Sequence, residues 1–365
     1  MPQPSHIVTL MAGARNLVGY CNLAAGEQVL VATGSQIDPV VTQAVLAAFS
    51  EAPVDVTQVV VPQPPTDFSE PVAPVTEAML AADTLVDLGA GVWGHTWASF
   101  IAITEYLTKG VKVSPPASPD TFTSPAATFP QDLLNAIQLR LFELLQQPDG
   151  TLIEITAPAG TSLQGAVWQN RAGQGWGSTA GLMPGDFLMW PTGVAGFLPP
   201  KALDGIAVFE SFTGYGKTSE PVTYVIENQH VARVEGGWEA AEVDAVIRAA
   251  TNGDYVAEIM FGANPKSRVD LSQKPVPLEA ERSPQTLHIG IGDEKLAGAT
   301  VRALNPDGST WHTDGMMVYP TLTVGSKPVL DHGRLAFLDE PGFRSLAEEF
   351  GDPDELFSYP AVIGY

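Results

Sequence analysis

The sequence predicts an α/β protein in two parts: an open α/β domain over 1–130 and a strand-rich α+β domain over 131–365. Three observations carry that expectation. At 365 residues the chain is too long for one domain of average size and fits two. Its first third alternates apolar strand runs with helical patterns, as a parallel sheet covered on both faces does. A Pro/Ser/Thr-rich stretch over 112–130 then separates this part from one dominated by short alternating strands.

Residues 9–25 open with an amphipathic helical pattern (Leu10, Ala14, Leu17, Val18). A Gly turn leads into the buried-strand run 28–32, closed by a Gly-Ser turn. Asp38 supplies an N-cap and Pro39 the first helical position for VVTQAVLAAFSEA. A strand over 57–62, a Pro-rich loop, a helix over 74–82 and the strand TLVDLGAG complete the alternation. ATGS after the first strand offers backbone N–H groups to an anion, but it lacks the further glycines and the lysine of a phosphate loop. QDLLNAIQLRLFELLQQPDG is a helix whose apolar stripe (133, 134, 137, 141, 144, 145) packs on a core. LIEITAPAGTSLQGAVWQ reads as a hairpin, and PGDFLMWP (184–191) as a short strand bracketed by prolines. GIAVFES, PVTYVIENQHVARVEGG and TLTVGSKPVLDHGRL add strands, and WEAAEVDAVIRAATNG a second clear helix.

Composition narrows the function. The net charge is −23 with only 18 Lys and Arg, so a nucleic acid or an anionic membrane is an unsuitable partner. Cys21 is the single cysteine, which leaves no intramolecular disulfide and no thiolate cluster. The first residues lack a basic start followed by an apolar core, and no apolar run approaches about 18 residues, so a cytoplasmic protein is expected.

Chemistry concentrates between His288 and Asp314. His312 and Asp314 are spaced i, i+2, which on a strand turns both side chains to one face. His288 in TLHIGIG lies on another predicted strand, and Glu258 is a lone charge in the apolar run YVAEIMFG. Two imidazoles and two carboxylates suit Zn²⁺, Mn²⁺ or Fe²⁺. Taken singly, each has a structural reading: a hydrogen-bonded core Glu, a satisfied core His, a chance His-x-Asp. Together, three polar residues in apolar or Gly-rich segments call for a shared reason. His95, between Trp93 and Trp97 after a strand, is either an acid/base group or a histidine packed at a helix start. Asp186, the one charge in its segment, is either a ligand or a turn residue after Gly185. His230 and His332 lie by polar turns and are expected to be exposed.

The order of segments is itself distinctive. ITAPAGTSL, MPGDFLMWP, VARVEGGWEAAEV, YVAEIMFGANP, TLHIGIG, WHTDGMMV and TLTVGSKPVLDHGRL together resemble the aminopeptidase T family of metallopeptidases. They are similar also to its relatives, the 2,5-dihydroxypyridine 5,6-dioxygenases and the aryl-amine aminohydrolases. The peptidase resemblance implies a metal pair held by two glutamates, two histidines and an aspartate. Glu258, His288, His312 and Asp314 match four of these, and Asp186 is the approximate counterpart of the other glutamate. The dioxygenase resemblance implies one ferrous ion on two histidines and an aspartate. Here His312 and Asp314 match, the first histidine falls near Glu258 or Ile259, and His288 has no counterpart. The dioxygenase's base histidine falls at Leu182 or a neighbour, and His95 matches another active-site histidine. Each pattern is kept in part.

Three functions follow as expectations. The first is a hydrolase in which Glu258, His288, His312 and Asp314 hold one or two divalent ions, with His95 or Asp186 moving protons to the leaving amine of a small amide, aminoacyl or aromatic-amine substrate. The second is an Fe(II) dioxygenase acting on a hydroxylated (hetero)aromatic, its ring walled by Trp93, Trp97, Trp176 or Trp190 unless these are core. The third is a binding protein with a degraded site. The family habit implies a homodimer or higher homo-oligomer.

Overall fold

The computed structural model describes residues 7–62, 69–94, 96–114, 117–168, 182–193, 196–198, 200–212, 216–274, 277–293 and 301–365. It is a mixed α/β protein of two compact units, Met1–Leu139 with Trp176–Val194, and Arg140–Gly175 with Ala195–Tyr365. Among the described residues no helix is long and apolar enough to cross a membrane.

The first unit holds five parallel strands in the order Asp55–Val61, Gln28–Gly34, Thr84–Leu88, Lys109–Val113 and Phe187–Trp190. Helices Ile7–Tyr20, Pro39–Phe49, Ala73–Ala81 and Trp97–Thr104 accompany them. Local signals account for the second of these: the Asp38 carboxylate accepts the Val40 N–H, and Pro39 starts the helix. The expected strand in PGDFLMWP forms as Phe187–Trp190, but one further strand and one pairing depart from the sequence reading. Lys109–Val113 carries a lysine at its start, which masks it; that lysine is buried because Nζ donates to the Glu27 carboxylate and to the carbonyls of Cys21 and Asn22. Phe187–Trp190, far along the chain, pairs in parallel with it, Gly110 opposite Phe187. Parallel partners need long crossovers, so proximity along the chain does not reveal them.

Asp87, at the end of a central strand, is fully buried and accepts the N–H groups of Ala90, Gly91 and Trp93. Burial pushes its pKa up, against those three bonds. Trp93 fills the space over Gly110, where a Cβ would lie 1.9 Å from the indole. Trp93 and Trp190 are thus core residues, Trp97 is half exposed, and Trp176 lies outside the described residues.

The second unit is one large antiparallel sheet. Its order runs Arg334–Leu335, Lys327–Asp331, Thr321–Val324, Leu152–Thr156, Ser162–Val167, Pro200–Phe212, His312–Val318, Thr286–Gly292, Val256–Phe261, Gly196–Leu198. Gly216–Glu227 and His230–Glu235 branch from Pro200–Phe212, and helix Trp238–Ala249 packs on them. The expected hairpin forms, with Leu152 opposite Ala166 and Thr156 opposite Ser162. The strands Val256–Phe261 and Thr286–Gly292 are buried along their whole length, so a charge on either needs a partner. His230 and His332 are exposed, beside Asp254 and Asp331.

Candidate metal centre

Register gathers the site. On the middle strand Gly290 stands opposite Glu258 on one side and Asp314 on the other, and Gly292 stands opposite His312. Residues paired across antiparallel strands, and residues two apart along one strand, share a face. Glu258, His288, His312 and Asp314 therefore surround a trough floored by two glycines. The trough has to be bare: a Cβ on Gly290 would lie 2.5 Å from Glu258 Cγ, 2.8 Å from Glu258 Oε1 and 2.9 Å from Asp314 Oδ1.

The donor atoms face one another. His312 Nε2 is 2.9 Å from Asp314 Oδ1 and 3.6 Å from Glu258 Oε1; His288 Nε2 is 3.2 Å from Glu258 Oε1 and 3.9 Å from Asp314 Oδ1. Ligands about 2.0–2.2 Å from a common cation take separations of that order. The far side of each ring meets a backbone carbonyl, His312 Nδ1 at 2.8 Å from Asp293 O and His288 Nδ1 at 3.4 Å from Glu281 O. A carbonyl only accepts, so each Nδ1 donates to it and each Nε2 points inward, where a metal ion would take its lone pair. Glu258 Oε2 is buried with no hydrogen-bond partner among the described residues. An orphaned carboxylate oxygen, a bare trough and inward lone pairs all fit a divalent cation.

Electrostatics agree with a cation-seeking cluster. Burial disfavours charge on Glu258, yet hydrogen bonds to His288 and His312 hold its pKa well below the usual carboxylate range. Burial is overcome in the same way at Asp314, lowered chiefly by His312. Burial also opposes charge on His312, but Asp314 and Glu258 raise its pKa well above the ordinary imidazole value. Without a cation the ring thus holds a second proton, which a metal ion would displace.

Glu281 belongs to this cluster and was not singled out from the sequence. Two three-donor groups could hold an ion, Glu258/His312/Asp314 and Glu281/His288/Asp314, and they share Asp314. Burial, then the charge of Asp314, pushes the Glu281 pKa up to about 7. Arg282 was missed as well; its Nη1 lies 3.3 Å from His288 Nε2. The alternation of glycine with His288 in TLHIGIG was the available signal for the trough. Glu281 sits in LEAERSP, where nothing marks one charge above its neighbours.

Of the other candidates, Asp186 lies in the first unit, on the turn before Phe187–Trp190. Its Oδ2 accepts the Met183 N–H at 2.9 Å, and its carbonyl accepts the Gly110 N–H. Burial raises its pKa. His95 lies outside the described residues.

Comparisons with known proteins identify the fold and the family. No curated protein matches the sequence. Among solved structures, the 2,5-dihydroxypyridine dioxygenase from Pseudomonas putida KT2440 is similar in fold, with a TM-score of 0.71 at 15% identity over 93% of this chain and 100% of that one. Wild-type AmpT from Thermus thermophilus is similar at a TM-score of 0.60 and 14% identity, over 90% of this chain and 99% of that one. At such identities the likeness is one of fold. The family model described as NicX, 2,5-dihydroxypyridine 5,6-dioxygenase, matches residues 9–274. That span includes Glu258 and ends before His288, His312 and Asp314. Because it covers most of the chain, the protein belongs to the NicX family.

Proposed function

We propose that the chain is a metal-dependent hydrolase acting on a small amide, aminoacyl or aromatic-amine substrate. One observation carries the choice: three carboxylates, those of Glu258, Glu281 and Asp314, share the cluster with the two imidazoles. Oxygenases that use ferrous iron favour two imidazoles and one carboxylate, whereas carboxylate-rich sets suit Mn²⁺, and mixed imidazole and carboxylate sets also take Zn²⁺. When bound, such an ion acts as a Lewis acid that polarises a carbonyl and brings the pKa of water to about 7. Glu258, His312 and Asp314 hold it, and the Nδ1 bonds keep the rings aimed. Burial and the charge of Asp314, which push the Glu281 carboxyl up to about 7 without a cation, suit it to holding a proton beside the site. Asp186 and His95 enter this reading as proton carriers to the leaving amine, and the burial that raises the Asp186 pKa suits it to keeping a proton. A cytoplasmic homodimer or higher homo-oligomer binding a small molecule completes the proposal.

Family membership favours a second reading, an Fe(II) dioxygenase of hydroxylated heteroaromatics built on His312 and Asp314. One experiment separates the two. The purified chain, loaded with Zn²⁺, Mn²⁺ or Fe²⁺, is offered aminoacyl anilides and 2,5-dihydroxypyridine with and without oxygen. Amine release that is indifferent to oxygen is expected. Oxygen uptake confined to the iron form would overturn the hydrolase, and absence of both tight metal and turnover would leave a binding protein.

A further inference from the structure

Arg282 has no part in the mechanism above, yet it stands inside the cluster. It is 6% exposed, and its Nη1 lies 3.3 Å from His288 Nε2, the nitrogen that Glu281, His288 and Asp314 would offer to a cation. Its Nε is buried with no hydrogen-bond partner among the described residues. The backbone there is pinned. Gly262, just past the strand that carries Glu258, lies so close that a Cβ on it would be 1.7 Å from the Arg282 carbonyl oxygen.

A guanidinium is charged at every physiological pH and only donates hydrogen bonds. One held 3.3 Å from His288 Nε2 puts a fixed positive charge beside the nitrogen that a second metal ion would need, which Glu258 Oε1 also approaches at 3.2 Å. The charge count points the same way. Glu258, Glu281 and Asp314 bring three negative charges when ionised. One divalent cation and Arg282 together bring three positive charges. Two divalent cations and Arg282 would bring five, and uncompensated charge in a buried site is strongly unfavourable.

We propose that Arg282 takes the place of a second metal ion, so that the chain holds a single divalent cation at Glu258, His312 and Asp314 while the guanidinium engages His288. This rests on the metal centre described above and sets its nuclearity.

Metal stoichiometry tests it without reference to turnover. Wild-type chain, Arg282→Met and Arg282→Lys are equilibrated with Zn²⁺ or Mn²⁺, freed of excess ion by gel filtration, and analysed for metal per chain by mass spectrometry. One ion is expected in the wild type and in Arg282→Lys, which keeps the charge, and two in Arg282→Met, which keeps most of the volume. Two ions in the wild type, a second ion in Arg282→Lys, or one ion in a folded Arg282→Met would each overturn the proposal. The wild-type count decides even if Arg282→Met does not fold. No ion in the wild type would remove the metal centre along with it. A one-ion protein that hydrolyses nothing would count against the hydrolase and leave the stoichiometry standing.

Discussion

Replacing Gly290 by Ala challenges the metal centre with one methyl group. The added Cβ would meet Glu258 Cγ at 2.5 Å, Glu258 Oε1 at 2.8 Å and Asp314 Oδ1 at 2.9 Å. Favourable carbon contacts begin at about 3.5 Å, so each neighbour has to retreat by roughly 0.6–1 Å. Metal ligands tolerate about 0.2 Å. Both carboxylates would therefore leave their places at once, while the imidazoles keep their carbonyl bonds. Perturbing a single supporting contact of a metal ligand weakens affinity about 10–100-fold. Displacing two ligands should weaken it by at least that, or about 1.4–2.8 kcal/mol. Overpacking should lower the stability of the metal-free protein by about 1–3 kcal/mol as well. Affinity is read by competition with a chelator, and stability by chemical denaturation with and without Zn²⁺. Gly342→Ala is the control: it lies in helix Pro341–Ala347, and a Cβ there meets nothing within 4 Å. It should leave affinity unchanged and stabilise by up to about 1 kcal/mol. A Gly290→Ala protein that binds Zn²⁺ as tightly as the wild type would refute the placement of Glu258 and Asp314 as ligands.

Two further outcomes are open to measurement. Asp186→Asn keeps an acceptor oxygen for the Met183 N–H but cannot carry a proton, so turnover should fall about 100-fold, within the range for acid–base catalysis, with metal affinity unchanged; undiminished turnover would make Asp186 a turn residue only. Glu210 is buried, which pushes its pKa up to about 7, and Val318 N–H donates to it. A carboxyl raised on folding adds stability that is full below its unfolded pKa of about 4.3 and lost as pH rises to about 7, a change of roughly 3–4 kcal/mol. Glu210→Gln should therefore match the wild type near pH 4 and exceed it at pH 8, and equal denaturation midpoints at pH 8 would contradict the assignment.

Much of this could be read from the sequence wherever a local pattern decided the outcome. The i, i+2 spacing of His312 and Asp314 places both on one face of a strand, and Glu258 is conspicuous as a lone charge among Val256, Ala257, Ile259 and Met260. Asp38 and Pro39 mark a helix start by their own chemistry. What escaped was fixed by distant segments. Glu281 and Arg282 lie on a polar-looking stretch and are buried where 282–283 pack against Gly262, a contact nothing local announces. Lys109 looks like a surface residue until Glu27 and two carbonyls surround its ammonium group. The strand Phe187–Trp190 is legible between its prolines, but nothing local marks it as the partner of Lys109–Val113.

That last pairing bears on how the chain folds as it is made. Residues 114–186 must be synthesised between the Lys109–Val113 strand and the one that completes its sheet. At about 5–20 residues per second, that interval is roughly 4–15 s. Throughout it the N-terminal sheet presents a row of unmatched N–H and C=O groups, the kind of edge that recruits other nascent chains. A fragment ending at Leu139 would keep that edge permanently, and should form large aggregates where the full-length chain does not.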